Sequence, residues 1–272
     1  MDEQLRVRIS QYCKCWENYQ PNFIEYAKKG NRASLPFVKE SEKFLQILLF
    51  RAALNQNIDE ATLDTLILSL YKTFLDKLFT ISCAPSQLIE NWIVTTLPES
   101  SWELVPKIVG IIRSVSDFFL VQGPIKEQIL KCPSARHFED ILCTQLFYFG
   151  KSSPSRSKAR NYIYLIRNLC PDLVKHWDPK AYVWPPTRHW WLALKILHLK
   201  PKVPPTTPEE VVVSANRFYN LVYPDAGLAY LAFSCFRKKS DISNWICRKQ
   251  VGACRNCPLH GPCPGVAQET LR

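Results

Sequence analysis

The chain has 272 residues, enough for one large or two modest domains, and 47% of them are hydrophobic, which excludes wholesale disorder. Its 35 Lys+Arg against 24 Asp+Glu leave a formal charge of +11, a balance that favours a polyanionic partner. Only 8 glycines are present and no glycine-rich phosphate loop occurs, so P-loop and dinucleotide-binding chemistry is excluded.

The first residues, Met1 to Arg6, lack the basic and apolar regions of an export signal, and no window approaches the ~18 apolar residues of a membrane span. The expectation is an intracellular protein with no membrane partner. In a reducing interior, clustered cysteines among the 11 point to metal, and scattered ones to core packing.

In chain order, residues 41–80 read as two helices: Phe44 to Leu49 are apolar, and Leu63, Leu66, Ile67, Leu70 and Phe74 follow at helical spacing. Further helices are predicted near 86–96, 102–121, 124–131, 136–148, 158–169, 187–199, 208–222 and 225–237. Prolines punctuate them, and strand alternation is nearly absent. Val211, Val212 and Val213 are β-branched, but Pro208, Glu209 and Glu210 ahead of them form a first helical turn. The fold class is all-α.

Between two of these helices, Lys151, Arg156, Lys158 and Arg160 place four cations in ten residues with no acid. They lie at the mouth of a helix, whose first amides are unpaired, which suits phosphate. The alternative is a solvated basic loop.

Cys247, Cys254, Cys257 and Cys263 form a C-x6-C-x2-C-x5-C run. Four thiolates so close repel and oxidise unless a cation holds them. A zinc S4 site generally uses two short cysteine pairs on a longer arm, whereas four thiolates in one compact loop match a cubane; the residue types leave both metals open. The remaining cysteines read as small core hydrophobes.

At these residues the chain resembles the endonuclease III superfamily of helix-hairpin-helix DNA glycosylases, which carry a C-terminal 4Fe–4S loop of this spacing. The aromatic and apolar stretch Leu228 to Phe236 ahead of the loop is similar to the family's, as is the polar turn around Gln56. Lys158 followed by Asn161 looks like the family's catalytic lysine and the asparagine three residues on. The resemblance spans residues 40–265 and is most specific at 247–263. It implies a helical barrel domain over 41–186 and an iron–sulfur cluster domain from 1–40 and 187–272, with double-stranded DNA, bearing a damaged or modified base, as partner. It also implies phosphate contacts from Arg248, Lys249 and Arg255 in the cluster loop, and a 4Fe–4S cofactor on the four cysteines.

Two departures stand out. Pro154, Ser155, Arg156 and Ser157 occupy the place of the family's glycine hairpin, and Pro186 stands where its Asp is expected before Thr187. Asp178, 20 residues after Lys158, is the substitute carboxylate. The expected function is a DNA-binding iron–sulfur protein with glycosylase and Schiff-base lyase chemistry at Lys158 and Asp178. The alternatives are a catalytically degenerate binder acting through partners, and a nucleic-acid complex in which the cluster is a redox or structural element. Lys158 as a phosphate contact and Asp178 as a helix cap are the plainer roles.

Overall fold

The computed structural model describes residues 3–17, 41–55, 58, 60–74, 81–151, 156–186, 194, 204–234 and 258–259. Every regular element among them is helical, as the sequence predicts. The chain divides into two units, one of residues 20–183 and one of residues 1–19 with 184–272.

The unit of residues 20–183 is built around α2 (Glu42–Leu54), whose residues from Phe44 to Leu54 are all buried. A helix buried on every side needs apolar residues all round, which this sequence supplies. Ser41 caps it by accepting from the Phe44 amide at 3.2 Å. Its one buried cation, Arg51, donates to Asp64 at 3.1 Å on α3 (Glu60–Phe74).

Next come α4 (Ser86–Thr96), α5 (Val105–Gln122), α6 (Ile125–Lys131), α7 (Ala135–Gln145) and α8 (Ser157–Leu169). The predicted 102–121 helix starts later, because residues Glu99–Leu104 wind as a 3-10 turn ahead of Pro106. It ends at Gly123, where φ is +74°, a left-handed stop that glycine adopts without strain. Pro124 offers α6 no capping oxygen, and Glu42 of α2 supplies two instead, its Oε1 and Oε2 accepting from the Ile125 and Lys126 amides at 2.8 and 2.9 Å. Tyr162 of α8 donates to the Leu45 carbonyl at 3.0 Å, tying α8 to the central helix.

The other unit joins the start of the chain to its later part. Tyr12 of α1 (Glu3–Lys14) donates to the Ala232 carbonyl at 2.9 Å, and its ring meets Phe233 at 5.5 Å. Ala232 and Phe233 belong to α10 (Ala226–Ser234), which packs on α9 (Pro208–Val222). Thr207 and Glu210 close a reciprocal capping box around Pro208, and this start signal carries the three valines into a helix. Of the predicted 187–199 helix, only Leu194 is among the described residues.

Candidate nucleic-acid interface around Lys158

Helix α8 begins in the basic segment, and its period sorts the cations. Arg156 and Arg160 are four residues apart and share a face, while Lys158 between them points elsewhere. The face of Arg156 and Arg160 meets two acids on α7. Arg160 is 3% exposed, and its guanidinium donates to Glu139 at 3.0 and 3.2 Å. Arg156 pairs with Asp140, lies 3.6 Å from Glu139, and donates from Nε to the Lys151 carbonyl at 3.3 Å.

Both arginines, expected to hold DNA, are engaged by acids of α7. A buried guanidinium cannot reach a phosphate without leaving Glu139 uncompensated, so Arg160 is a structural partner of α7. Arg156 is engaged in the same acid pair. Lys151 remains exposed.

Lys158 meets different neighbours. Burial first, and then the positive charge of Lys107, lower its amine from the usual lysine range to about 8. At pH 7 that leaves roughly one amine in ten neutral, against well under one in a thousand for an ordinary lysine. Its Nζ lies 6.0 Å from the centre of the Tyr148 ring.

Tyr148 is held by α5. Lys107, Gly110 and Ser114 recur at helical spacing on that helix, and the turn after α7 docks against Gly110 and Ser114. The Phe147 amide donates to Ser114 Oγ at 2.8 Å. A Cβ at Gly110 would stand 3.2 Å from Tyr148 Oη and 3.3 Å from Cε2, so glycine there lets the ring approach the helix. Tyr148 itself has φ +71°, a left-handed conformation that costs a non-glycine residue about 1–2 kcal/mol. Phe149 beyond it is buried, whereas Phe147 is 70% and Tyr148 39% exposed.

The predicted 136–148 helix therefore ends at Gln145. Phe147, Tyr148 and Lys107 were not legible as site residues. The available signal was the aromatic run from Phe147 to Phe149 ahead of Gly150, which a helix cannot bury on one face.

Asp178 lies at an exposed position just ahead of the 3-10 turn Pro179–Ala181 and accepts from the Lys180 amide at 2.9 Å. It does the work of a cap there. Pro186 follows in an irregular stretch.

Cys247, Cys254, Cys257, Cys263, Arg248, Lys249, Arg255 and Gln56 lie outside the described residues. Among the described residues, no group of three or more His, Cys, Asp or Glu is placed to hold a metal ion. Leu259, inside the cysteine run, is buried. As a donor set, four thiols in one short run match the four irons of a cubane, one each. Cys13, Cys132, Cys143 and Cys170 are buried, as core packing predicts, but Cys15 and Cys83 are exposed, which it does not. Burial pushes the Cys13 and Cys143 thiols up to about 12, so they stay protonated at neutral pH and are poor ligands.

Comparison with protein-family models, with curated proteins and with solved structures finds no match to this chain. Among the described residues, no helix is long and apolar enough to cross a membrane.

Proposed function

We propose that the protein binds double-stranded DNA and excises a base, with Lys158 as the nucleophile and a 4Fe–4S cluster on Cys247, Cys254, Cys257 and Cys263. The observation that carries this reading is the Lys158 amine: half-buried, pressed by Lys107, and lowered to about 8. Such a lysine has a neutral, nucleophilic fraction of roughly one in ten at pH 7, where a surface lysine is almost wholly a point charge. The neutral amine attacks the sugar C1′ while the bond from C1′ to the base breaks and the base leaves with the electron pair. The nitrogen then loses one proton, and its lone pair forms the C1′=N bond as the C1′–O4′ bond breaks; O4′ leaves with the electron pair and takes up a proton, giving the protonated imine. The cluster, when bound, supplies folding free energy to the loop that carries Arg248, Lys249 and Arg255.

Borohydride reduction on an abasic-site duplex tests the chemistry. The wild type is expected to become covalently trapped, and Lys158→Ala is expected to lose trapping. A wild type that never traps on abasic, uracil or oxidised-base duplexes overturns it. The cluster has its own test. Anaerobically purified protein should be brown, absorbing broadly near ~400 nm, and Cys254→Ala should be colourless. A colourless wild type holding one zinc per chain would end that assignment.

A second reading, a DNA binder that works through protein partners, is favoured by Pro186 and Asp178. Proline stands where the resemblance expects a carboxylate, and the substitute carboxylate caps a turn. It predicts salt-dependent duplex binding, weakening by about 0.9 decade per decade of salt for each phosphate contact, with no trapping.

A further inference from the structure

The Phe147–Tyr148 turn has no evident use in the chemistry at Lys158, yet it is held in a manner that packing alone does not require. Phe147 is 70% exposed although an apolar ring of its size ordinarily goes inside. Its position is fixed by the bond from its own amide to Ser114 Oγ at 2.8 Å and by the left-handed backbone of Tyr148. The two rings meet at 4.7 Å and 87°, an edge-to-face contact that occupies one face of one ring. Lys158 approaches the Tyr148 ring, and Gly110 lies against that same side chain. Phe147 is thus displayed to solvent from a turn seated on α5, with exposed Lys107 on that same helix, exposed Lys151 three residues after Tyr148, and Lys158 beside the Tyr148 ring.

We propose that this turn is a stacking platform for an unpaired nucleobase, with Phe147 beneath the base and Lys107 and Lys151 receiving the adjoining phosphates. An aromatic face beside cations answers both halves of a nucleotide, because every base has a π-face and every link a negative charge. An acidic peptide would answer the lysines and leave the Phe147 face without a flat partner. The proposal rests on the DNA-binding part of the reading above and is independent of its chemistry.

The test is anisotropy of the full chain with three labelled probes: an oligothymidylate of about 12 nucleotides, a duplex with a single-base bulge, and the intact duplex. Phe147→Ala should weaken the single strand, the bulge or both by about tenfold and leave the intact duplex unchanged, since one base–aromatic stack is typically worth that much. Phe147→Tyr should bind as the wild type does, and Phe147→Leu should behave like Phe147→Ala, which separates stacking from apolar bulk. The probe that responds identifies the source of the base. Lys151→Ala should lower the salt slope by about 0.7 on the single strand. Equal binding by the wild type and Phe147→Ala overturns the platform, as does a loss shared equally by the intact duplex. So does a polyglutamate chain that binds the wild type more tightly than the oligothymidylate and loses that binding in Phe147→Ala. If the wild type traps on an abasic duplex while Phe147→Ala binds every probe normally, only the platform falls. If stacking is found without trapping, only the chemistry falls, and absence of all oligonucleotide binding at low salt removes both.

Discussion

Arg160 and Lys158 stand two residues apart on the same helix and have opposite fates. Arg160 is buried against Glu139, while Lys158 faces Lys107 and the Tyr148 ring and has its amine lowered to about 8. The difference comes from the helical period. Two residues rotate a side chain by about 200°, so one cation faces the acids of α7 and the other faces the lysine of α5. Positive charge in a sequence therefore does not by itself make a phosphate site. What matters is which face the acids already occupy.

The sharpest way to break this contrast is to remove the acid. Glu139→Gln should leave Arg160 as a buried charge without its carboxylate and cost about 3–5 kcal/mol, read as a lower urea midpoint. Lys151→Ala on the exposed side should change stability by no more than about 0.5 kcal/mol. Equal effects of the two substitutions would mean that Arg160 is not held by Glu139 in the way its distances imply.

That pairing was invisible in the sequence. Glu139 lies 21 residues before Arg160, and nothing local marks the two as partners. The helices were legible where start and stop signals are local: Pro85 ahead of α4, and Pro208, Glu209 and Glu210 in the first turn of α9. The helix α1 carries no such mark, since only Ile9, Tyr12 and Cys13 are buried in it and its partners lie some two hundred residues away. The Phe147–Tyr148 turn was lost for a third reason. Apolar spacing runs on past Gln145, while the chain leaves the helix to dock on Ser114 and Gly110. Lys158 itself was legible as a candidate; its lowered pKa depends on burial and on Lys107, 51 positions earlier in the chain.

A smaller effect is expected on the lysine side. The folded amine titrates near 8 and the unfolded one near the ordinary 10.5, so the unfolded chain binds more protons between those values. Stability should rise with pH across that window, as the cost of holding a charged amine is relieved. Lys158→Met should flatten this rise and stabilise the protein below pH 8 by on the order of 1 kcal/mol, less than the whole shift would give, because a half-buried amine retains contact with water. Urea unfolding of both proteins from pH 7 to 11 measures it. A parallel rise in Lys158→Met would assign the pH dependence to another group.

The smallest effect isolates the strain in the turn that carries Tyr148. Substituting Tyr148 by Ala or by Gly removes the same ring, its contact with Gly110 and its approach to Lys158, so those losses cancel when the two variants are compared. What differs is the backbone. At most positions Gly is less stable than Ala by about 0.5–1 kcal/mol, because it gives up more conformational freedom on folding. At φ +71° alanine keeps the clash of Cβ with its own carbonyl and glycine does not. The order should therefore invert, with Tyr148→Gly more stable than Tyr148→Ala by a few tenths to about 1 kcal/mol. If Ala is the more stable, the turn relaxes to negative φ once the ring is gone. The ring seated on Gly110, and not the fold of the loop, would then be what holds Phe147 out to solvent.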